Sequence, residues 1–326
     1  MLKKIKHLMQ RFAACYKEYP KDRREFGRKV ARAKFWDVLI PTGKSKRYIE
    51  TLSAYVIQEL APLTQRYANG EIPKATPKKK LEKIPVWVCW WQGEENMPPI
   101  VKACVNRMRK LVPDNAQVHI VTWDNYAQYV ALPEFVLEKH KQGIIGAAHL
   151  SDVLRFALLR TYGGAWVDST VCFSKKFTDE LLTEKFYTQR FESWEDCPTE
   201  ACRGKWCGFF IGGQAECEIF SFMFEALCYY WTHHNRIIDY VFFDYLLWSG
   251  YCGVPAIRQS IDAVEPNNPN IWLMEKHLND AYTQESYESL LAQNEFFKLS
   301  YKGKLMTQTE NGEKTVYAHI LSENQK

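Results

Sequence analysis

The fold of this chain is decided by residues 149–170, which read HLSDVLRFALLRTYGGAWVDST. Leucines at helical spacing between residues 154 and 159 predict a helix through the first part of this stretch. Gly163 and Gly164 then end the helix, because glycine readily adopts the left-handed conformation that closes many helices. The apolar triplet after the glycines predicts a short buried strand that carries Asp168 at its end.

A second pattern upstream predicts a strand, a helix and another strand in succession. Residues 86–91 are an apolar run of strand length, residues 97–112 have helical periodicity, and residues 118–123 are the next strand-like run. This order and spacing are typical of a βαβ unit, in which the two strands are parallel. We therefore expect an α/β domain with a parallel sheet.

The loops after these strands are candidates for a binding site, because ligands of parallel sheets lie beyond the carboxyl ends of the strands. Trp91 and Gln92 follow the first strand, and Trp123 ends the second. No Gly-x-Gly-x-x-Gly or Walker-type loop follows either strand, which argues against dinucleotide or P-loop chemistry.

Charge divides the chain into two parts. Residues 1–80 carry 20 Lys and Arg against 7 Asp and Glu, whereas residues 81–326 carry 23 against 31. Apolar residues at helical spacing predict a basic amphipathic helix over residues 2–16 and a second helix over 46–67. Residues 73–80 are rich in proline and lysine and predict a linker. We expect a basic, helical N-terminal appendage that ends with this linker, followed by the α/β domain.

The basic region suggests an anionic partner. A surplus of this kind is typical of proteins that bind nucleic acid or an anionic membrane surface, and a solvated helical face is the plain alternative. The chain has no run of about 20 apolar residues, so we expect no spanning helix. Its 10 Cys lack Cys-x-x-Cys spacing, and with no secretion signal they favour a reducing cytoplasm. We favour a cytoplasmic protein at the inner face of the membrane, without a nucleic-acid partner.

The chemistry-bearing residues of the 149–170 stretch are Asp152, Arg155 and Asp168. A carboxylate at the tip of a strand is suited to hold a divalent cation against a diphosphate, and oxygen ligands suit Mg²⁺ or Mn²⁺. Asp152 and Arg155 are three residues apart and share a neighbouring helix face. The plain alternative is an intrahelical ion pair and a turn-forming aspartate. Their occurrence together in one segment favours a site.

The same segment, with Trp-Trp-Gln-Gly at 90–93 and Gly-Ile-Ile at 143–145, resembles the bacterial capsular polysaccharide synthesis glycosyltransferases. These are relatives of sugar transferases that carry an Asp-x-Asp motif after a Tyr-Gly-Gly turn. The resemblance extends over residues 84–270. It implies a GT-A (Rossmann-like) fold, a nucleotide-diphosphate-sugar donor, and Mn²⁺ or Mg²⁺ as cofactor.

The resemblance and the strand ends together assign residues to roles. Asp168 is expected to bind the metal, Asp244 to face the donor sugar or acceptor, and both to be catalytic. Asn267 and Asn268, in a Pro-Asn-Asn turn, are expected near the acceptor or donor sugar. Nucleotide-sugar binding is assigned to Trp91, Gln92, Trp123, Asp152, Arg155, Tyr162, Gly163 and Gly164.

One position departs from the Asp-x-Asp pattern. Thr170 stands where the motif has its second carboxylate. The site therefore binds metal more weakly or recruits another ligand, and His319 is one candidate because related transferases use a late histidine in this way. A lone histidine is, however, more often a surface or packing residue.

The resemblance implies transfer of a hexose, galactose or glucose, from a UDP-sugar to a glycan or lipid-linked oligosaccharide in surface polysaccharide synthesis, with retention of configuration. Two alternatives stay open. Asp168 and Asp244 could be the paired carboxylates of a glycoside hydrolase. The basic N-terminal region could instead make the protein a membrane- or nucleic-acid-binding module.

Overall fold

The computed structural model describes residues 2–37, 44–72, 81–177, 179–197 and 201–323. The strands in this part of the chain are β1 (Ile84–Cys89), β2 (Ala116–Val121), β3 (Gly164–Val167), β4 (Val171–Phe173), β5 (Phe186–Thr188), β6 (Phe210–Gly213) and β7 (Phe296–Lys298). The helices are α1 (Leu2–Asp37), α2 (Lys46–Glu59), α3 (Ala61–Ala68), α4 (Pro99–Leu111), α5 (Tyr126–Tyr129), α6 (Glu134–Lys141), α7 (Ala147–Tyr162), α8 (Asp179–Thr183), α9 (Glu218–His233), α10 (Phe242–Gly253), α11 (Pro255–Asp262), α12 (Leu273–His277), α13 (Gln284–Leu291) and α14 (Val316–Glu323).

The central sheet has five strands in the order β2-β1-β3-β6-β5. β1 pairs in parallel with β2 and with β3, whereas β6 is antiparallel to both β3 and β5. The predicted βαβ unit is confirmed, with α4 between its strands. The architecture is therefore mixed α/β, with a parallel half and an antiparallel half that meet at β3.

Alternate residues of β1 and β3 pack on opposite faces of the sheet, as the two-residue period of strands requires. Trp87 and Trp166 belong to a core formed with α7, α9 and α10. Val86 and Val167 belong to a second core formed with α4, β4, β7 and α14. Because β3 is buried on both faces, the residue that follows it is held in a rigid frame.

The two glycines at the start of β3 allow the strand to enter the sheet. Gly163 and Gly164 have φ of 67° and 81°, which non-glycine residues rarely adopt. A Cβ atom on Gly164 would overlap the carbonyl oxygen of Pro85, which precedes Val86 in β1. Glycine is therefore required both by the backbone conformation and by the close approach of β1.

Part of the N-terminal region packs on the α/β core. The second predicted helix, over residues 46–67, is two helices that meet at Leu60, with a proline in the first turn of α3. Both pack against α10, and Tyr48 donates a hydrogen bond to Asp239 (2.7 Å). The predicted linker, residues 73–80, lies outside the described residues, so the division into two domains stays a prediction.

Helix α1 is two helical segments, because Gly27 has non-helical φ and ψ. The segments contact each other through Phe12 and Phe35, whose ring centroids are 5.4 Å apart. Along the ranges that the structure describes, none of the helices combines the length and apolarity needed to cross a membrane.

Candidate active site

A cleft of about 740 Å³ opens beyond the carboxyl ends of β1 and β3. This is the edge at which ligands of parallel sheets bind. Its walls come from parts of the chain that are far apart in sequence, including Trp90, Asp152, Asp168, Asp244 and Lys298. The volume is in the range of small-molecule and cofactor sites, about 300–1,000 Å³.

Asp168 lies at the centre of the polar side chains in this cleft. Its backbone N–H donates to the carbonyl of Phe209 (2.8 Å), which holds the turn after β3. Its carboxylate accepts hydrogen bonds from Trp166 Nε1 (3.1 Å) and Lys298 Nζ (3.2 Å), and Arg155 Nη2 lies 3.8 Å away. With one third of its side chain exposed, the carboxylate is both fixed and accessible.

The charges around Asp168 keep it ionised. Burial acts to raise the pKa of this carboxyl, but the positive charges of Lys298 and Arg155 outweigh burial and hold the pKa below its usual value. Asp168 is therefore an anion at neutral pH and is unsuited to act as a general acid.

Arg155 is a buried cation on α7, only 7% exposed. Its Nη1 donates to Asp152 (2.9 Å), and its guanidinium lies over the rings of Trp166 and Phe243. Within the described residues its Nε has no hydrogen-bond partner. Burying a polar group without a partner is costly, so Arg155 is an incompletely paired cation in the wall of the cleft.

The pKa of Asp152 is shifted in the opposite direction to that of Asp168. Burial raises its pKa, and the attraction of Arg155 does not cancel that effect. The intrahelical Asp152–Arg155 ion pair does form, and both residues also line the cleft. The ion pair therefore lies in the wall of the cleft, and the nucleotide-sugar-binding role of both residues stays a prediction.

Lys298 is a residue of the cleft that sequence reasoning missed. β7 pairs with β4 so that Lys298 lies opposite Val171, next to the turn that carries Asp168. Its ammonium donates to Asp168 Oδ2 and to Thr170 Oγ1, and 21% of its side chain is exposed. The available signal was a single lysine in an otherwise apolar Phe-Phe-Lys-Leu run at residues 296–299.

The residues predicted to bind metal do not fit a resident Mn²⁺ or Mg²⁺. Asp168 and Thr170 supply one carboxylate and one hydroxyl, and both are already bonded to the Lys298 ammonium. His319 does not line the cleft, because it lies in α14, stacked on Tyr282 (3.8 Å between ring centroids). Mg²⁺ and Mn²⁺ need several oxygen ligands, including carboxylates. The metal roles of these residues therefore stay predictions.

Asp244 lines the cleft from the first turn of α10, and its predicted role toward the donor sugar or acceptor stays a prediction. Its side chain is buried, and Oδ1 accepts a hydrogen bond from Trp206 Nε1 (2.9 Å). Trp206 is fully buried and had no signal in the sequence beyond being aromatic. This contact fixes the Asp244 carboxylate from behind.

The tryptophans of the strand-end loops have unequal positions. Trp91 and Gln92 line the cleft, and Trp91 Nε1 donates to Ser151 Oγ (2.8 Å). Trp123 does not line the cleft, because its ring stacks on the outer side of Trp91, with 4.2 Å between centroids. In this position Trp123 contacts Trp91, and its nucleotide-binding role stays a prediction.

Three other predicted donor-binding residues lie at the wrong end of β3. Gly163 precedes the strand and Gly164 is its first residue, whereas Asp168 follows the strand, so both glycines are absent from the cleft walls. Tyr162 ends α7 and donates its hydroxyl to the carbonyl of Tyr129 (2.9 Å). These residues shape the entry into the sheet.

Asn267 and Asn268 also lie outside the main cleft. Asn267 donates to the carbonyl of Thr188 (3.1 Å), and Asn268 accepts from the backbone N–H of Glu295 (2.7 Å). They line a separate cavity of about 590 Å³. In this position they hold loops together, because their amides satisfy backbone groups.

Exposed aromatic rings line the mouth of the cleft. Trp272 stacks on Phe191, with 5.4 Å between ring centroids, and Tyr301 contacts Trp90 edge-on. Tyr240 lies on the same rim and is two thirds exposed. Sequence patterns could not find these residues, because they come from separate loops.

Comparison with known proteins identifies the family. Residues 39–320 match the family model described as capsular polysaccharide synthesis protein. The chain is 31% identical over 91 residues to O-glycosyltransferase PaGT of Phomopsis amygdali and 34% identical over 93 residues to O-glycosyltransferase braB of Annulohypoxylon truncatum. Each match covers 26% of this chain and 22% of the relative, so the chain spans about a fifth of these curated relatives.

Among solved structures, the apo form of the bifunctional glycosyltransferase WbbM aligns with a TM-score of 0.42 and 13% identity, over 77% of this chain and 50% of that chain. The match to the family model includes most of the described α/β core and all the residues that line the cleft. The chain belongs to the capsular polysaccharide synthesis protein family.

Proposed function

We propose that this protein is a glycosyltransferase with a GT-A fold that transfers a sugar from a nucleotide-diphosphate donor in the synthesis of a surface polysaccharide. The observation that carries the proposal is Arg155, a guanidinium held in the wall of the cleft beside Asp168. Such a group is suited to a phosphate oxygen, which arginine recognises strongly. Membership of the family supports the same reaction class.

The chemistry needs positive charge at the leaving group. When the bond between the sugar and the diphosphate breaks, negative charge develops on the diphosphate, and preorganised donors stabilise it. Arg155 is preorganised by its ion pair with Asp152 and by the rings beneath it. Asp244, fixed by Trp206, is assigned to the sugar or the acceptor hydroxyl.

We propose a hexose, galactose or glucose, as the transferred sugar and UDP as the nucleotide, with retention of configuration. Retention needs no dedicated base, which agrees with the lowered pKa of Asp168, since a carboxylate with a lowered pKa is a weak base. The requirement for Mn²⁺ or Mg²⁺ stays a prediction of the sequence.

The acceptor we propose is a glycan or a lipid-linked oligosaccharide. Trp272, Tyr301 and Tyr240 expose flat rings at the mouth of the cleft. Flat aromatic faces suit the apolar C–H faces of sugar rings, because many weak dispersion contacts add up. A chain of sugars could therefore lie across this rim with its end in the cleft.

We propose further that α1 rests on an anionic membrane surface. It carries 12 Lys and Arg against 4 Asp and Glu, and Met9, Phe12 and Tyr16 are exposed along it. This is the pattern of helices that lie in a membrane interface, where each basic residue contributes about 1 kcal/mol. The full chain should co-sediment with anionic vesicles, not neutral ones, and lose binding at high salt. If it stays in the supernatant with anionic vesicles at low salt, the membrane role is contradicted.

The reaction itself is tested by incubating the protein with nucleotide-sugars and a lipid-linked glycan acceptor. We expect nucleoside diphosphate to be released and one sugar to be added to the acceptor. Arg155→Ala should weaken nucleotide binding about tenfold or more, as expected when a charge-assisted contact to phosphate is lost. Cleavage of the glycan without any nucleotide-sugar would indicate a hydrolase and contradict the proposal.

A further inference from the structure

We propose that Lys298 supplies, in place of a divalent cation, the positive charge that the donor diphosphate meets beside Asp168. The proposal rests on the proposed function, since it concerns how the same cleft binds the donor. It starts from the disagreement between the residues around Asp168 and the ligands that Mn²⁺ or Mg²⁺ prefers.

The ammonium of Lys298 occupies the position expected for the metal. It bonds Asp168 Oδ2 (3.2 Å) and Thr170 Oγ1, the two positions at which an Asp-x-Asp motif would present carboxylates. A hydroxyl at position 170 suits this arrangement, because it accepts a hydrogen bond from the ammonium without adding a second negative charge beside Asp168. The threonine and the lysine, 128 residues apart, thus form one unit.

Lys298 also has a donor to spare. An ammonium carries three N–H groups, and in the part of the chain that the structure describes Asp168 and Thr170 accept two of them. The side chain is 21% exposed and lines the cleft, so the third can reach a phosphate oxygen.

Two cations lie beside the Asp168 carboxylate, and one of them, Arg155, is also paired with Asp152. The Asp168 carboxylate already has Lys298 at 3.2 Å and Arg155 at 3.8 Å. A divalent cation on the same carboxylate would lie within a few ångströms of both and be repelled by them. A diphosphate, with two or more negative charges, would instead be attracted to both.

The fold holds this charge in place before any ligand arrives. The backbone N–H of Lys298 donates to the carbonyl of Ile271 (2.8 Å), and Leu299 N–H donates to the carbonyl of Thr170 (3.0 Å). Lys298 is therefore anchored on both sides by β7 and its pairing with β4. A preorganised cation of this kind stabilises developing charge without reorganisation.

The test is calorimetric titration with UDP, and then with GDP, ADP, CDP and dTDP, in excess EDTA and in excess MnCl₂. We expect the wild-type Kd of the bound nucleotide to agree within about threefold between the two conditions. Lys298→Met should weaken that binding about tenfold in EDTA, the loss typical of one charge-assisted hydrogen bond. Lys175→Met is the matched control, since Lys175 pairs with Glu295 outside the cleft, and its Kd should not change.

The outcomes distinguish a failure of the role of Lys298 from a failure of the proposed transferase function. Nucleotide binding that requires Mn²⁺ would overturn the role of Lys298 and leave the transferase proposal intact. Wild-type affinity in Lys298→Met would do the same. If none of the five nucleotides binds under either condition, the nucleotide-sugar function itself is wrong. The wild-type comparison with and without Mn²⁺ uses no variant, so it decides the question even if Lys298→Met does not fold.

Discussion

The two ends of β3 lie in one short segment of sequence but have different roles. At its amino end, Gly163 and Gly164 supply positive φ angles and close packing, which let the strand lie against β1 and β6. At its carboxyl end, Asp168 lies close to Arg155 and Lys298 in an open cleft. The strand has four residues, about 13 Å at the usual rise, which is enough to keep the glycines out of the site. Neighbours in a motif therefore need not share a role.

The largest effect is expected at the amino end. Gly164→Ala should destabilise the protein by about 3 kcal/mol or more, because a side chain there adds backbone strain to overlap with Pro85. Gly312→Ala is the matched control. Gly312 has almost the same φ (82°), but no described atom lies within 4 Å of its added Cβ, so only the strain of about 1–2 kcal/mol remains. Urea unfolding measures both, and equal losses would contradict the packing role.

At the carboxyl end the expected loss is in turnover. Asp168→Asn should reduce sugar transfer about 100-fold, the scale of losing one preorganised charged group. Its stability should change by no more than about 1 kcal/mol, since the carboxylate is partly exposed. Asp262→Asn is the control, because Asp262 pairs with Lys205 outside the cleft. Near-normal transfer by Asp168→Asn would remove Asp168 from the site.

A smaller effect is expected for Tyr162→Phe, next to the glycines. It removes the hydrogen bond to the Tyr129 carbonyl and should cost about 1 kcal/mol of unfolding free energy, with kcat/KM for the nucleotide-sugar unchanged. Thermal or urea unfolding and steady-state kinetics measure the two quantities. A fall in kcat/KM at unchanged stability would instead restore the donor-binding role predicted from the sequence.

The smallest effect is a difference between two carboxyls of the cleft, Asp168 and Asp152, in how each makes the free energy of unfolding depend on pH. Asp168 has a lowered pKa, so its stabilising charge is fully present above 3.8, its ordinary value, and is lost as pH falls through the depressed pKa. The free energy of unfolding of wild type should therefore exceed that of Asp168→Asn by less and less as pH falls below about 3.8.

Asp152 should show the opposite slope. Burial raises its pKa, so the charged form is disfavoured in the folded state, and wild type should gain stability relative to Asp152→Asn as pH falls through that raised pKa. Urea unfolding across the acidic range compares the two variants with wild type. Slopes of the same sign would contradict the contrast drawn between the two carboxyls.

The fold was largely predictable where a local pattern carried it. The βαβ unit followed from apolar runs and a helical period, and β1, α4 and β2 lie within about two residues of their predicted positions. The break before β3 followed from two glycines. These features were predictable because helix and strand periods, and the conformational freedom of glycine, act between residues close in sequence.

The site was predictable only in part. Asp152, Arg155, Asp168 and Asp244 line the cleft as expected, whereas Trp123, Tyr162, the two glycines, Asn267, Asn268 and His319 do not. The residues outside the cleft were assigned by nearness in sequence or by family pattern. A motif does not state which end of a strand a residue occupies relative to the ligand.

The sequence by itself thus determined the α/β class and the presence of a carboxylate at the tip of a buried strand. Only the tertiary structure decided what that carboxylate meets. Lys298 is 130 residues from Asp168, and they meet because β7 pairs with β4. Such pairing depends on the packing of whole strands and leaves no periodic signal around either residue. The charged side chains can be identified from the sequence, but the groups that surround each charge are determined by the fold.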